Sequence, residues 1–401
     1  MRVDKKAIIV FVLSLFILVT SIIFYLFLNT KDILLVPNLT CNFRDEVYLK
    51  NFIYKLDGTL KNNYKIDTRK VGKQEVKAVY QDKYGFYKAK RFNINVKDKV
   101  APTILVTSDY TVVKGYDKRL EDEILCADDY DNKINCSIEG SYNFDEVGVY
   151  PLTIKAVDKS GNKNRKNFNL KVIEDTSQEE KIVEDSEKDK IEEFVSYSDI
   201  YRKYKGINTS VGLDLSKYQK KVDFKALKDN NVEFVFIKVG GQKNKDGKII
   251  MDPFFEKNVE GALKNGIKVG LYFYSYAKNP LEARKQAMYI IKKIKGYNIS
   301  LPIAFDWENW QEYNQFNISF NTLNNMASTF IDEIERNGYG GMLYSSKYYF
   351  DNVWFKEDFK NVWIANYGIL SDSSNYYAWQ LCDNGKIEGI DGFVDIDIIY
   401  N

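Results

Sequence analysis

Histidine is absent from the 401-residue sequence, and this absence excludes more functions than any other feature of the composition. Without histidine there is no Ser-His-Asp triad, no Cys-His nucleophile pair and no histidine-ligated zinc. Catalysis would have to use carboxylates, Tyr, Lys, Cys or Ser. Lys and Arg together number 58 against 56 for Asp and Glu, so no excess of positive charge points to nucleic acid as a partner.

Cysteine is scarce as well. None of the 4 cysteines stands in a C-x-x-C or other metal-binding spacing, so the sequence predicts no metal site and no cofactor. Cys126 and Cys136 lie close together in one candidate domain and could form a disulfide, which would fit an oxidising compartment. Cys41 and Cys382 lie in different regions, where a small buried hydrophobe is the simpler interpretation.

One long apolar run, AIIVFVLSLFILVTSIIFYLFL (7–28), carries no charge. At about 1.5 Å per residue, a helix of this length would cross a hydrocarbon core of ~30 Å. Arg2, Lys5 and Lys6 precede the run and only Lys31 follows it closely, so the N-terminus would stay in the cytoplasm. A cleaved signal peptide is the alternative, which the length of the run and the lack of a small-x-small cleavage site disfavour. We therefore predict a single-pass protein of the cell membrane, with residues 1–30 as cytoplasmic tip and anchor and the rest outside the cell.

Two segments downstream resemble each other. Residues 71–96 and 147–172 share an opening Val-Gly, an internal Lys-Ala-Val, an Asp-Lys-x-Gly turn and a closing Phe-Asn-x-x-Val. The alternation of apolar and polar residues is strand-like and the Asp-Lys-x-Gly is a turn. These features predict two small all-β sandwiches in tandem, at residues 31–99 and 100–174. The second resembles the bacterial Ig-like surface modules and the first resembles them less closely, so we expect both to be Ig-like. The acidic DDYDNK (128–133) could hold calcium, but a solvated loop is the preferred interpretation.

A charged segment follows the β domains. EDTSQEEKIVEDSEKDKIEE (174–193) has ten acids, three bases and no aromatic residue. Such a composition cannot bury a core, so we predict a self-repelling linker over residues 175–206.

After residue 206 the pattern changes to strands that alternate with helices. Strand-like apolar runs occur at residues 211–216, 234–239, 268–276, 301–308, 340–345, 362–367, 376–381 and 394–400. Helical segments lie between them at residues 254–266, 280–296 and 320–338, opened by Pro280 in one case and ended by Asn-Gly in two. Because near-continuous apolar strands suit a sheet covered on both faces, we predict a compact α/β barrel of the TIM type over residues 207–401.

Two carboxylates, Asp306 and Glu308, stand two residues apart at the end of one apolar run, LPIAFDWE (301–308). Residues i and i+2 of a strand share a face, so the two acids would lie side by side, while Trp307 between them would face away. Crowding raises the pKa of one acid and keeps it protonated. The arrangement costs stability, but it suits proton donation.

The carboxyl ends of barrel strands meet at one face, where such barrels carry their chemistry. Three strands deliver carboxylates to that face: Asp214, Asp306 with Glu308, and Asp395. Other strand ends deliver side chains that we expect to contact substrate, namely Lys238, Tyr272, Tyr274, Tyr344, Asn366, Tyr367, Trp379 and Gln380. Any one of these residues could equally be part of the packing. Together, carboxylates ringed by Tyr and Trp are what the hydrolysis of a glycosidic bond uses.

From Val211 to Asn401 the sequence resembles the glycoside hydrolase family 25 lysozymes, the Chalaropsis-type muramidases. The matching segments, in family order, are GLDLSKYQ (212–219), FIKV (236–239), DPFFEKNVEGALKNGIKVGLYFY (252–274), LPIAFDWE (301–308), MLYSS (342–346), VWIANYG (362–368) and WQLCDNGKIEGIDGFVDID (379–397). The resemblance implies that Glu308 is the general acid and that Asp306 orients or stabilises the reacting sugar. Asp214 and Asp395 would be supporting carboxylates. It also implies cleavage of the β-1,4 bond between N-acetylmuramic acid and N-acetylglucosamine in peptidoglycan.

The sequence departs from the family at two positions. Members usually follow the second-strand lysine with x-Thr/Ser-Glu-Gly, whereas Lys238 is followed by VGGQKNKDG. The glycine usual after Gln219 is replaced by Lys220. The first departure puts the loop shape and the saccharide contacts near that strand in doubt, but it removes none of the four carboxylates.

These observations lead to one main hypothesis and two alternatives. The main one is a membrane-anchored, extracellular peptidoglycan hydrolase that faces the cell wall. Its predicted partners are peptidoglycan glycan strands and, through the N-terminal helix, the membrane. A catalytically silent glycan-binding protein is the first alternative, which the altered loop after Lys238 favours. A component of a surface-assembly machine is the second.

Overall fold

The computed structural model describes residues 5–29, 32–106, 109–175, 194–242, 248–308 and 317–400. The chain divides into two compact units, Met1–Val100 and Ala101–Asn401. The predicted cytoplasmic tip at residues 1–4 and most of the predicted linker, residues 176–193, lie outside the described residues. The predicted boundary near residue 174 falls inside the second unit, so a separate domain over residues 100–174 stays a prediction.

The first unit begins with a helix, α1 (Lys5–Asn29), over the apolar run. The part of α1 whose side chains are described, residues 9–25, is about 26 Å long at about 1.5 Å per residue. A spanning helix needs about 20 apolar residues to cross ~30 Å of hydrocarbon. Over the described residues, no helix has both the length and the apolar character to cross a membrane. The prediction of a transmembrane helix is therefore corrected.

The rest of the first unit is all β. Its strands are β1 (Ile33–Leu35), β2 (Thr40–Asn42), β3 (Ile53–Leu56), β4 (Gly58–Leu60), β5 (Gly72–Asp82) and β6 (Tyr87–Lys97). Four of them form a sheet in the order β2-β6-β5-β4, with β2 parallel to β6, and β1 pairs with β3. Alternate residues of β5 and β6 are buried, including Val76, Ala78 and Ile94, because one face of this sheet covers the core.

The second unit opens with a β region of the same topology. Its elements are β7 (Thr103–Ile104), β8 (Tyr110–Val113), the short helix α2 (Leu120–Glu123), β9 (Cys126–Ala127), β10 (Asn135–Glu139), β11 (Gly148–Val157) and β12 (Lys163–Ile173). The sheet order is β8-β12-β11-β10, with β8 parallel to β12, and β7 pairs with β9. Gly148 faces Val172 as Gly72 faces Val96 in the first unit. The repeat predicted from sequence is therefore present in the structure.

The Ig-like assignment of the two β regions is not established. An Ig sandwich packs sheets of four and three strands or more. Here the described residues of each region form a four-stranded and a two-stranded sheet. A disulfide joins Cys126 of β9 to Cys136 of β10.

The remainder of the second unit is a closed barrel with helices outside it. Its strands are β13 (Val195–Ser196), β14 (Thr209–Leu215), β15 (Phe234–Gln242), β16 (Ile249–Met251), β17 (Lys268–Tyr274), β18 (Ile303–Asp306), β19 (Gly341–Ser346), β20 (Val362–Ala365), β21 (Ala378–Lys386) and β22 (Val394–Tyr400). Its helices are α3 (Tyr197–Tyr204), α4 (Phe224–Asp229), α5 (Phe255–Lys264), α6 (Pro280–Ile294), α7 (Phe320–Arg336) and α8 (Lys347–Asn352). The elements β13 and α3 precede the predicted start at residue 207, and Tyr197 of α3 is buried in the barrel core.

The barrel is not a TIM barrel, which corrects the predicted fold class. A TIM barrel has eight parallel strands, each followed by a helix. Here seven strands run parallel in the order β14-β15-β17-β18-β19-β20-β21, and β22 closes the ring antiparallel to both β21 and β14. No α-helix follows β20 or β21, although the residues of both connections are described. The short connection after β21 makes the return antiparallel, because a parallel return would need a longer crossover.

The lower part of the barrel interior is filled by aromatic rings opposite very small residues. Phe236 stacks on Trp363 with ring centroids 4.4 Å apart. A Cβ on Gly270 would lie 2.5 Å from the ring of Phe236, and one on Gly212 would lie 2.4 Å from the backbone oxygen of Phe234. Glycine at these two positions therefore allows the rings to fit. The lower interior is closed, which leaves space only towards the carboxyl ends of the parallel strands.

The second β region packs directly against the barrel. Leu105 and Ala127 belong to the same buried cluster as the barrel core. The backbone N–H groups of Phe320 and Asn321, which open α7, donate to the carbonyl oxygens of Asp128 and Asp129 at 2.9 Å each. The contact therefore fixes the start of the helix that follows the strand bearing Asp306.

Candidate active site

Carboxylates from three strands meet at the open end of the barrel. Asp214 lies near the end of β14 and Asp306 ends β18. Because β22 runs antiparallel, its amino end lies beside the carboxyl ends of the other strands, and Asp395 is directly opposite Asp214 in the β14–β22 pairing. The direction of β22 thus brings Asp395 and, two residues further on the same face, Asp397 to the site.

Asp214 is buried and receives hydrogen bonds from two neutral side chains. Gln380 Nε2 donates to Asp214 Oδ2 at 2.8 Å and lies 3.1 Å from Asp395 Oδ2, while Tyr272 Oη donates to Asp214 Oδ1 at 3.3 Å. Burial raises the pKa of Asp214, and these donors oppose the rise. Burial and the charge of Asp214 raise the pKa of Asp395 to about 9. Burial thus raises the pKa of both carboxyl groups, and the hydrogen bonds from Gln380 and Tyr272 favour the ionised form of Asp214.

Asp397 does not line the pocket but lies beneath it, next to Trp363, which does. It is fully buried, and its Oδ1 accepts a hydrogen bond of 2.8 Å from the indole Nε1 of Trp363. Burial raises the pKa of Asp397 well above its usual range, and the charges of Asp214 and Asp395 raise it further. A carboxyl in these surroundings keeps its proton to a higher pH than an exposed one.

Asp306 and Glu308 differ sharply in exposure. Asp306 is 2% exposed, whereas the Glu308 side chain is exposed at the pocket mouth. Burial raises the pKa of Asp306 well above its usual value, and the charge of Glu308 adds to the rise. The pocket walls also raise the pKa of Glu308, chiefly by removing water from its carboxyl group. The exposed member of the pair is thus an acid that holds its proton to a higher pH than usual and can reach a ligand.

Lys238 supplies the positive charge of the site. Its Nζ lies 4.8 Å from the ring centroid of Tyr274 and 5.5 Å from that of Tyr272. The lysine charge lowers the pKa of both Asp306 and Glu308, against the effect of burial. Among the described residues, no three carboxylates of this pocket bring their oxygen atoms close enough together to hold one metal ion.

The pocket continues into a longer cleft. Its deep part has a volume of about 330 Å³ and is lined by Asp214, Ser216, Tyr218, Gln219, Lys238, Tyr272, Asp306, Glu308, Tyr344, Trp363, Gln380, Asp383, Phe393 and Asp395. A neighbouring groove of about 590 Å³ is lined by Lys217, Tyr218, Lys238, Gly240, Gly241, Ile250, Met251, Asp252, Pro253, Tyr274, Tyr276 and Glu308. Tyr218, Lys238 and Glu308 line both parts. Glu308 therefore stands where an extended ligand would pass from the groove into the pocket.

Five of the eight residues predicted to contact substrate line this cleft. Lys238, Tyr272, Tyr344 and Gln380 line the pocket, and Tyr274 lines the groove. Asn366 and Tyr367 line neither part, although Tyr367 is exposed with its Oη 3.5 Å from Oε1 of Gln380.

Trp379 lies outside the cleft. Its Nε1 donates to the backbone oxygen of Asn366 at 2.8 Å, and its ring packs edge-on against Tyr204 of α3. Because Gln380 points into the barrel, its neighbour on β21 must point outward. Trp379 therefore belongs to the outer core and not to the ligand-binding surface.

Several residues at the site were not predicted. Asp397, beneath the pocket, could have been found from the sequence, since VDID (394–397) repeats the i, i+2 spacing that drew attention to Asp306 and Glu308. Tyr218, Asp383 and Phe393 line the pocket, but their segments show no pattern that separates them from other exposed residues.

The departure after Lys238 has a structural cause. Strand β15 continues to Gln242 and pairs antiparallel with β16. A Cβ on Gly240 would lie 2.3 Å from the oxygen of Ile250, and one on Gly241 would lie 3.0 Å from Tyr274. A larger residue at position 240 would clash with β16, and one at position 241 would crowd Tyr274 of β17. The two glycines and β16 line the groove together. Residues 243–247 of the predicted loop lie outside the described residues.

Comparison with known proteins identifies the region that carries this cleft. The family model for glycosyl hydrolases family 25 matches residues 213–390. The autolytic lysozyme of Clostridium acetobutylicum is 28% identical over 189 residues, which cover 46% of this chain and 54% of that protein. The chain thus spans about half the length of this relative.

Solved structures resemble the same half of the chain. A family 25 glycosyl hydrolase from Bacillus anthracis aligns with 23% identity and a TM-score of 0.42, covering 49% of this chain and 92% of that one. The spore cortex lytic enzyme SleM of Clostridium perfringens aligns with 23% identity and a TM-score of 0.42, covering 49% and 68%. Residues 213–390, which hold Asp214, Asp306 and Glu308, are a glycosyl hydrolase family 25 domain.

Proposed function

We propose that the chain is a peptidoglycan hydrolase of the muramidase type, with Glu308 as its general acid. The observation that carries the proposal is the position of Glu308. It is the exposed acid at the junction of the pocket and the groove, and its pKa is raised. Membership of the domain in a glycosyl hydrolase family and the similarity to an autolytic lysozyme support the choice of substrate.

The cleft suits a chain of sugars bound across Glu308. Aromatic rings on both sides, Tyr218 and Tyr274 in the groove and Tyr344 in the pocket, offer faces and hydroxyls for pyranose rings. Buried carboxyl groups at the pocket base would hold the hydroxyls of one sugar. A glycan with several sugars on each side would therefore place one glycosidic oxygen near the Glu308 carboxyl.

Glu308 would donate its proton to the glycosidic oxygen as the bond from that oxygen to C1 of N-acetylmuramic acid breaks. Positive charge then develops on the sugar ring, where Asp214, favoured as an anion, would stabilise it. Asp306 would orient the water molecule that attacks C1. This water supplies OH to C1 and returns a proton to Glu308. The products are a reducing N-acetylmuramic acid end and a free hydroxyl on N-acetylglucosamine.

The experiment is mass spectrometry of the fragments that the full chain releases from purified peptidoglycan. We expect fragments that end in reducing N-acetylmuramic acid. Glu308→Gln keeps the size of the side chain but cannot donate the proton, so we expect release to fall by about 10²–10⁴-fold with thermal unfolding unchanged. Intact glycan strands with the unaltered chain would contradict the proposal and would favour a silent glycan-binding protein. Fragments ending in reducing N-acetylglucosamine would contradict the assigned bond.

We also propose that the chain works outside the cytoplasm, at the cell wall. The disulfide between Cys126 and Cys136 supports this location, since such bonds persist in oxidising compartments. Its redox state in whole cells tests the proposal. We expect an alkylating reagent that enters only the cell envelope to label neither cysteine before reduction and both after it. Absence of labelling after reduction would contradict the location, whereas labelling without reduction would place both cysteines in the envelope but show that they are not paired.

A further inference from the structure

The two β regions share one hairpin turn but present different side chains on it. In the first unit the turn between β5 and β6 reads DKYGFYK (82–88), and in the second region the turn between β11 and β12 reads DKSGNKN (158–164). The aromatic residues Tyr84, Phe86 and Tyr87 thus correspond in position to Ser160, Asn162 and Lys163.

The backbone of the turn is built by the residues that both copies keep. Asp82 Oδ1 accepts from the N–H of Phe86 at 2.9 Å, and Asp158 Oδ1 accepts from the N–H of Asn162 at 2.8 Å. Gly85 and Gly161 have φ of 89° and 87°, values that favour glycine. Because the second region forms the same turn without aromatic residues, the turn does not need them.

The aromatic side chains of the first turn are largely exposed. Tyr84 is 65% and Tyr87 is 67% exposed, and Lys83 Nζ lies 5.0 Å from the centroid of the Tyr84 ring. Exposed aromatic residues that stand together mark binding surfaces more often than scattered ones do, and Tyr84 and Tyr87 stand three residues apart on one turn. A ligand would account for both exposed rings.

We propose that Tyr84, Tyr87 and Lys83 form a second glycan-binding site, for the sugar strands of peptidoglycan. Tyrosine rings present flat apolar faces to pyranose rings and hydroxyls to their substituents. The Lys83 ammonium group matches the carboxylates that the muramic acid and peptide substituents carry. The proposal goes beyond the proposed function because none of these residues belongs to the barrel. A site of this kind would hold the chain on the polymer while the barrel acts elsewhere on it.

The test is co-sedimentation of the full chain with purified peptidoglycan, in a Glu308→Gln background that leaves the polymer intact. The variant Tyr84→Ser with Tyr87→Lys installs the residues of the second turn, which that turn already tolerates. We expect the apparent Kd to rise by about tenfold. The matched control, Ser160→Ala with Lys163→Ala, should leave the Kd unchanged. The converse variant, Ser160→Tyr with Lys163→Tyr, should lower it.

An unchanged Kd for the tyrosine variant would overturn the proposal, and so would an equal rise in the Kd of the control. A third contrary result is a tyrosine variant that still binds peptidoglycan but no longer binds anionic phospholipid vesicles, which would assign the turn to a lipid surface.

Restoring Glu308 separates this proposal from the proposed function. The tyrosine variant should then release fragments from short soluble glycans as fast as the parent, and a parent that releases none would contradict the hydrolase while the binding result stands.

Discussion

The indole Nε1 of Trp363 donates a hydrogen bond of 2.8 Å to Oδ1 of Asp397 beneath the pocket. Both side chains are almost fully buried, and Phe236 stacks on the other side of the indole. The bond therefore joins the hydrophobic lower barrel to the carboxylates above it. Asp397 is the deepest of those carboxylates, so changes to it should affect stability and pH dependence before they affect contact with a ligand.

Asp397→Asn should make the folded state less sensitive to high pH. The pKa of Asp397 is raised in the folded state, so its carboxyl contributes stability below the unfolded pKa and loses that contribution as pH rises towards the folded pKa. Asparagine keeps an oxygen for Trp363 and cannot ionise. Denaturant unfolding at pH 5 and pH 8 should show a smaller loss of stability in the variant. An equal loss in both proteins would mean that Asp397 does not titrate in this way.

Asp397→Ala is the contrasting substitution. It leaves the buried N–H of Trp363 without its acceptor, which we expect to cost about 1–3 kcal/mol of unfolding free energy relative to Asp397→Asn at either pH. If Asp397→Ala is as stable as Asp397→Asn, the hydrogen bond from Trp363 contributes little to stability. The bond would then not join the lower barrel to the carboxylates in the way described above.

Lys238→Met should move the alkaline limb of the activity profile to higher pH. The proposed reaction needs protonated Glu308, so kcat/KM falls as pH rises through the raised pKa of that group. The charge of Lys238 opposes this rise, and removing it lets the pKa climb further. The measurement is kcat/KM against pH on a soluble glycan. The readout is the pH at which the alkaline limb falls, not the maximum value of kcat/KM.

Lys217→Met is the control for Lys238. Lys217 also lines the groove, where its Nζ lies 5.2 Å from the ring centroid of Tyr218, but it is not a cause of the Glu308 shift. The alkaline limb should stay in place in this variant. A limb that moves equally in both variants would indicate a general charge effect and would remove the special role assigned to Lys238.

Local patterns predicted the helices and the first carboxylate pair well. Pro280 starts α6, with Asn279 as its cap, and Gly266 and Gly338 follow α5 and α7 in left-handed conformations. These sequence signals depend only on neighbouring residues, so they predict helix ends whatever the overall fold. Asp306 was found because a strand end and the i, i+2 spacing are both visible in ten residues of sequence.

Strand direction was harder to predict than strand position. The run at 394–400 was placed correctly as a strand, but its antiparallel direction depends on the short connection from β21, and the TIM-type prediction ignored that connection. Trp379 was misplaced for a related reason. Because side chains alternate along a strand, the sequence predicts that Trp379 and Gln380 face opposite sides of the sheet. Which of them faces the barrel interior depends on how the barrel closes.

Lys220→Gly should stabilise the protein. Lys220 has φ 53° and ψ −109°, a conformation that side chains with a Cβ adopt only under strain. The side chain is exposed, so its removal loses little packing. We expect a gain of about 1 kcal/mol in unfolding free energy. Lys221→Gly, at the neighbouring exposed position without a positive φ, should be neutral or destabilising, and a similar gain there would show that backbone strain at Lys220 is not the cause.

Leu105→Ala should loosen the start of α7 as well as the β region that holds Leu105. Leu105 is 6% exposed within the barrel cluster, so truncation should cost about 2–4 kcal/mol. Because the amides of Phe320 and Asn321 donate to the carbonyls of Asp128 and Asp129, their hydrogen exchange reports on this contact. We expect both amides to exchange faster in the variant.

The control for Leu105 is Val149→Ala, in the same β region but 61% exposed. It should change stability by less than about 0.5 kcal/mol and leave the Phe320 and Asn321 amides protected. If Leu105→Ala destabilises the β region while those two amides remain protected, the β region does not support α7. The barrel would then hold the start of α7 in place by itself, and the β region would act only as a separate module on the same chain.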